Sequence, residues 1–211
     1  ERDQKVTNVR LGKDVKLAQP QQFMAQERTQ IERAYPGDIV GLFDPGLFRI
    51  GDTLCAGGAF SYGDVPQFSP EHFARIRLPN ALKRKQLQDG LEQLAQEGAI
   101  QLFKPRHWSG VGDTVVAVVG ALQLDVLSYR LEHEYGVTLT IERLPYTLAR
   151  WVLSPSVDER LFQGGRTTIV LDQDERPVVL FENEWALRWI ERDHPEIDFA
   201  ETASRTATAR V

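Results

Sequence analysis

Lys83-Arg84-Lys85-Gln86-Leu87-Gln88-Asp89-Gly90-Leu91-Glu92-Gln93-Leu94-Ala95-Gln96-Glu97-Gly98-Ala99, running into Ile100 to Phe103, is one half of a matched pair. The other half is Val115 to Val119, then Gly120-Ala121-Leu122-Gln123-Leu124-Asp125-Val126-Leu127, then Tyr129-Arg130-Leu131-Glu132-His133-Glu134-Tyr135-Gly136-Val137. In the first, Leu87, Leu91, Leu94 and Gly98 recur at helical spacing, so one face of a helix is apolar. Gly98 is placed to end that helix in a left-handed conformation. In the second, Leu124, Leu127, Leu131 and Tyr135 share a face, and Gly136 is the stop.

Working outward, Phe73 to Leu78 reads as a strand with imperfect alternation. Pro79-Asn80 halts it, and Asn80 is suited to cap the helix that follows. Ile100 to Phe103 and Thr114 to Val119 are strands joined by a loop around Ser109-Gly110-Val111-Gly112-Asp113. Val137 to Leu144 alternates apolar with polar residues and predicts a half-buried strand. The order strand, helix, strand, strand, helix, strand is that of a ferredoxin-like sheet with two helices on one face. Residues 146–211 extend it. Ala149 to Leu153, Thr168 to Leu171 and Val178 to Phe181 read as strands, with a turn at Gln173 to Pro177. Asn183 caps a helix carrying Trp185, Trp189 and Ile190, which His194-Pro195 ends. The Thr/Ala/Arg-rich tail from Glu201 lacks periodicity.

Residues 1–66 read as β. Val6 to Arg10 and Asp14 to Leu17 flank a turn at Leu11-Gly12-Lys13, and Asp38 to Leu42 and Gly51 to Leu54 supply further short strands. Close strand spacing with Gly and Pro punctuation predicts a small barrel. Gly57 to Pro70 reads as a linker, with the boundary near Gln67. The expected organisation is therefore α+β: a barrel-like unit over 1–66, which the family resemblance given below makes a partial barrel, and a ferredoxin-like domain with a strand-helix extension over 67–211.

A net charge of −5 argues against wholesale coating of nucleic acid. The lone Cys55 cannot form an internal disulfide, which suits a reducing cytoplasm. No apolar run is long enough for a membrane span.

Three segments carry a family likeness: Arg10-Leu11-Gly12-Lys13-Asp14-Val15, Phe23-Met24-Ala25 leading to Tyr35-Pro36-Gly37-Asp38, and the paired units quoted above. Together they resemble class II peptide chain release factor 3, a bacterial translational GTPase, over most of residues 5–198. Gly120 to Asp125 discriminates best. The elongation factor G group usually has an acidic residue and a His where this chain has Ala121 and Gln123. Glu97-Gly98-Ala99 likewise departs from that group's Glu-Asp-Pro. The resemblance implies the second half of the second-domain barrel plus the terminal domain, a ribosome-binding arm that does no chemistry itself. It implies as partners the small ribosomal subunit, class I release factors in the ribosomal complex and the parent's own GTPase domain. GTP and Mg²⁺ belong to that GTPase domain, whose phosphate loop, Mg²⁺-holding Asp and Asn-Lys-x-Asp do not occur in these 211 residues. This chain is expected to hold no cofactor or metal and to catalyse no reaction.

Arg75, Arg77, Lys83, Arg84 and Lys85 form the one sustained basic stretch, with no acid between Glu71 and Asp89. Cations in the first turn of a helix meet the positive end of its dipole, so local stability does not explain Lys83 to Lys85. Phosphate contact on RNA would explain them; a solvated helix end paired with distant carboxylates is the plainer account. Gly110-Val111-Gly112-Asp113, lying between strands, reads as a hairpin loop and not a phosphate cradle. His72, His107, His133 and His194 lack ligand spacing with Cys55. Glu132 and Glu134 around His133 fit a solvated helix face. Trp151, Trp185 and Trp189 are expected as core or core-edge anchors, with base stacking the lesser reading. Competing functions are a stand-alone RNA-binding ferredoxin-like module, which needs exposed aromatics on central strands, a fragment of another elongation factor G-like GTPase, and a small hydrolase or metalloenzyme.

Overall fold

The computed structural model describes residues 1–18, 20–24, 27–44, 46–58, 60–62, 68–105, 114–163 and 165–202, with the side chains of 22–29 left aside. It divides into two compact units, Glu1–Val65 and Pro66–Val211.

In the first unit, β1 (Lys5–Asn8) and β2 (Lys13–Lys16) form an antiparallel hairpin in the register Asn8↔Lys13. Its turn closes with Gly12 at φ 62, a conformation that a side chain resists. β3 (Gln21–Met24) pairs with β4 (Glu27–Gln30), and β5 (Leu54–Cys55) adds to the far side of β1. The strand expected over Asp38 to Leu42 reduces to a single bridge, Gln21↔Gly41. The turn of the first hairpin is held by Asp52, whose side chain is 3% exposed. It accepts from Asn8 Nδ2 (2.9 Å), from Arg10 Nε (2.5 Å) and Nη2 (2.8 Å), and from the Arg49 amide (3.0 Å).

In the second unit, β6 (His72–Arg77), α1 (Arg84–Gln96), β7 (Gln101–Pro105), β8 (Val115–Val118), α2 (Leu122–Tyr135) and β9 (Thr140–Arg143) follow the expected order. The strands lie antiparallel as β7-β8-β6-β9. That is the ferredoxin-like arrangement. Leu87, Leu91 and Leu94 of α1 and Leu124, Leu127 and Leu131 of α2 are buried against Ala74, Ile76, Val116 and Val118. Gly98 (φ 73) and Gly136 (φ 64) end the helices in the left-handed region. Gly90, in the middle of α1, is required by the close approach of α2: a Cβ there would stand 2.7 Å from Leu131 Cδ2 and 3.0 Å from Tyr135 Cγ.

The extension, β10 (Leu148–Val152), β11 (Thr167–Leu171), β12 (Pro177–Phe181), α3 (Glu184–Asp193) and β13 (Phe199–Ala200), continues the same sheet through β11 pairing with β7. A second buried layer joins Phe73, Phe103, Val115 and Ala117 to Ala149, Trp151, Val170, Val178 and Leu180. A third packs Val179 and Phe181 on Ala186, Leu187 and Ile190 of α3. The central strands are thus covered on both faces, and this is the physical cause of the imperfect alternation in Phe73 to Leu78. β9 is shorter than the predicted Val137 to Leu144, although Val137 is fully buried ahead of it.

Candidate nucleic-acid interface

The basic stretch is built around a corner. β6 ends at Arg77, and Asn80 Oδ1 accepts from the Leu82 amide at 3.0 Å. Asn80 therefore caps a 3-10 turn, Ala81–Lys83, and not α1 itself as the sequence predicts. α1 begins directly after it, with Lys83 at its cap position making no side-chain capping bond and no acidic residue in its first turn. Leu82 beside it is 88% exposed, and Arg84 and Lys85 are exposed. Among the described residues, no carboxylate forms an ion pair with Lys83, Arg84 or Lys85. Lys83 has one compensation: its Nζ lies 3.8 Å from where a Cβ on Gly136 would stand, beside the C-terminal, negative end of α2. Arg84 and Lys85 lack that placement.

Arg75 and Arg77 are placed differently. They share parity with Phe73, on the sheet face opposite α1 and α2. Both approach Glu142 of β9, Arg77 Nε at 2.6 Å and Arg75 Nη1 at 3.9 Å from its Oε2. The hydrogen bond from Arg77, chiefly, holds the Glu142 carboxyl below the usual carboxylate range. Arg75 Nε is buried and has no hydrogen-bond partner among the described residues. The five cations of one sequence run thus separate into a cross-strand pair of arginines sharing the Glu142 carboxylate and a helix start without a carboxylate partner among the described residues.

Other candidates resolve individually. Phe103, the aromatic that a sheet-face RNA reader would need, is 1% exposed and packs on Phe73 and Trp151. His133 stacks on Tyr129 with centroids 4.0 Å apart, on the exposed side of α2. Arg130, on the same helix, ties α2 to Glu97 at the end of α1 and to Glu134, and its hydrogen bonds keep both carboxyls depressed. Gln123 reaches back to accept from the amides of Val119 and Gly120 at 3.0 and 2.9 Å, closing the β8–α2 turn. Among the described residues, no group of three or more His, Cys, Asp and Glu side chains could hold a metal. No helix among them is long and apolar enough to cross a membrane. The Ser109 to Asp113 loop and His107 lie outside the described residues.

The tryptophans divide. Trp151 is buried as expected and donates Nε1 to Asp172 Oδ2 at 2.9 Å. For Trp185 and Trp189 the core half of the core or core-edge expectation does not hold: they are 61% and 42% exposed, at the edge of the core. The face of α3 that packs inward is Ala186, Leu187 and Ile190, and the indoles stand beside it. They border a groove of about 370 Å³ between α3, the start of β11 and a 3-10 turn at Glu159–Phe162. The signal available in the sequence is their spacing of four residues, which places them on one face of a helix without saying which face is covered.

Comparison with known proteins gives a consistent assignment. Residues 62–191 match the family described as class II release factor RF3, C-terminal domain, and residues 1–57 match elongation factor G domain 2. Peptide chain release factor 3 of Symbiobacterium thermophilum is 50% identical over 203 residues, 96% of this chain and 38% of that protein. Its counterpart in Synechococcus elongatus is 45% identical over 204 residues, 96% of this chain and 36% of that protein. The chain thus spans somewhat over a third of the curated relatives it matches. A crystal structure from Thermus thermophilus superposes with a TM-score of 0.54 at 17% identity, covering 71% of this chain and 23% of that one, a likeness of fold.

Proposed function

The chain belongs to the class II release factor 3 family, and from that premise we propose that it is a ribosome-binding arm, contributing position and not chemistry. In this reading the parent protein uses GTP and Mg²⁺, held by a GTPase domain outside these residues, to promote dissociation and recycling of class I release factors in the cytoplasm. The arm meets the small ribosomal subunit, and its cationic helix start rests on ribosomal RNA. The observation that supports this is the first turn of α1, where among the described residues Lys83, Arg84 and Lys85 have no carboxylate partner and Arg84 and Lys85 also lack the α2-end placement of Lys83. Cations without a carboxylate partner at the positive end of a helix suit phosphate, although the amides of Leu82, Lys83 and Arg84 are themselves taken up by Asn80 and Ala81. The sheet-face RNA reader is disfavoured because Phe103 is covered.

Co-sedimentation with vacant ribosomes tests the reading. Three phosphate contacts make affinity fall about 20- to 40-fold between roughly 50 and 200 mM salt. The Lys83→Ala, Arg84→Ala, Lys85→Ala variant is expected to bind more weakly and to lose most of that salt dependence. Equal sedimentation of variant and parent at both salts would refute the helix start as the contact.

A further inference from the structure

We infer that the groove beside Trp185 and Trp189 is a second RNA site, taking an unstacked nucleotide of single-stranded ribosomal RNA. The inference rests on the ribosome-arm reading for its source of RNA. Its chemistry rests on the groove alone.

The charged residues lining the groove are Arg160 and Arg166, and its other polar groups are Gln163 and Thr167. Among the described residues no carboxylate lines it, in a chain whose net charge is −5. Glu182 stands at its border, 4.0 Å from Arg166 Nε, at the limit of an ion pair. Among the described residues Arg160 has no ionic partner and is exposed. Arg166 lies 5.5 Å from the Trp185 ring centroid, so a guanidinium and an indole face already share one wall. α3 sets the two indoles on one face, and the buried Ile190 and Ala186 fix its position on the sheet.

This combination is what single-stranded nucleic acid uses. Indole faces stack bases regardless of sequence, and guanidiniums neutralise the phosphates on either side. Gln163 and Thr167 add groups that can hydrogen-bond a base edge or a 2′-hydroxyl. An acidic peptide would engage the guanidiniums and leave the indole faces without a specific partner. A duplex would present no free base to either tryptophan.

The test is anisotropy titration of a labelled single-stranded RNA of about ten nucleotides, a length typical of one such binding surface. The 211-residue chain is compared with Trp185→Ala/Trp189→Ala, Trp185→Phe/Trp189→Phe and Arg160→Ala/Arg166→Ala. Far-UV circular dichroism and the thermal midpoint check each variant's fold. The alanine pair is expected to weaken binding about tenfold or more. The phenylalanine pair keeps a ring to stack on and restores most of it. The arginine pair is expected to reduce the salt slope by about 1.4. Unchanged binding in the alanine pair would overturn the proposal. So would equal competition by a duplex of the same sequence, or a tryptophan-dependent preference for a poly-glutamate peptide, which would give the groove to a protein partner. Ribosome co-sedimentation of the same variants separates the two readings. Tryptophan-dependent RNA binding without ribosome binding sinks the arm and leaves the groove; ribosome binding with unaffected tryptophan variants sinks the groove and leaves the arm.

Discussion

Arg75 and Arg77 lie a few residues from Lys83, Arg84 and Lys85 and belong to the same acid-free run, yet the fold gives the two groups opposite surroundings. The strand pair delivers Glu142 to the first group, because β9 lies directly beside β6 and places Glu142 opposite Arg75 in register. The second group follows a 3-10 turn into a helix whose first turn holds no acid. Pairing, and not charge density along the chain, separates cations that hold the fold together from cations available to a partner. The Arg10–Asp52 contact in the first unit is the extreme of the paired kind, buried on the carboxylate side and closed by four hydrogen-bond donors.

The largest expected effect comes from reversing the unpaired group. Lys83→Glu, Arg84→Glu, Lys85→Glu sets three carboxylates against phosphate, and like-charge juxtaposition at a contact costs several kcal/mol. Ribosome affinity should fall about a hundredfold or more at low salt, while the thermal midpoint stays or rises, since acids suit a helix start. A variant that bound ribosomes normally would remove the distinction between the two groups.

Asp52 comes next. Burial would raise its pKa, but the donors from Arg10, Asn8 and the Arg49 amide outweigh that and lower it from 3.8 to about 2. The unfolded chain therefore takes up this proton first as the pH falls. The stabilisation is complete above about pH 4 and is lost as the pH approaches 2, amounting to about 2 kcal/mol. Asp52→Asn should cost a similar amount at neutral pH and flatten the acid dependence. Amide exchange over Lys5–Lys16 would report it, and unchanged protection there would show that the pair contributes nothing.

Gly90→Ala tests whether the position of the helix start depends on helix packing. Alanine gains about 1 kcal/mol of helix propensity over glycine. The added Cβ meets Leu131 Cδ2 at 2.7 Å, and Leu131 is fully buried, so overpacking of about 1–3 kcal/mol opposes that gain. The net expectation is a loss of up to about 2 kcal/mol in urea unfolding followed by tryptophan fluorescence. A stabilised variant would mean that α1 and α2 can move apart freely.

Much of this architecture is legible in the residues, and the reasons are specific. Leu87, Leu91 and Leu94, and Leu124, Leu127 and Leu131, announce their helices because one covered face leaves a clear period, and Gly98 and Gly136 end them where the chain must turn left-handed. β6 is blurred because residues on both of its faces are buried, by contacts from the extension far along the chain. Asp38 to Leu42 has strand-like composition but gains only one bridging partner. Trp185 and Trp189 look like core by side-chain type; only the sheet beneath α3 decides that Ala186, Leu187 and Ile190 face inward instead. The pairing of Arg75 and Arg77 is equally hidden, since Glu142 lies 65 residues from Arg77 in the chain.

The smallest expected effect is the most discriminating. Arg77→Ala removes a 2.6 Å hydrogen bond to Glu142, but both side chains are about half exposed, where water and salt screen the attraction and side-chain entropy opposes it. The depressed Glu142 pKa gives the sign of the pH dependence: the pair helps above the usual carboxylate range and stops helping as the pH falls through the lowered value. The thermal midpoint should therefore move within measurement scatter at neutral pH, and still less in acid. Ribosome binding should also hold, because a cation engaged by a carboxylate releases little counterion on meeting phosphate. Arg84→Ala, with no ion pair to lose, should do the reverse: leave stability alone and weaken binding by about one contact's share of the salt slope. If Arg77→Ala weakened binding as much as Arg84→Ala, Glu142 would have to release its arginine on the ribosome. Glu142→Gln would then tighten binding by freeing that cation in advance, whereas a cross-strand pair that stays closed on the ribosome leaves binding where it was.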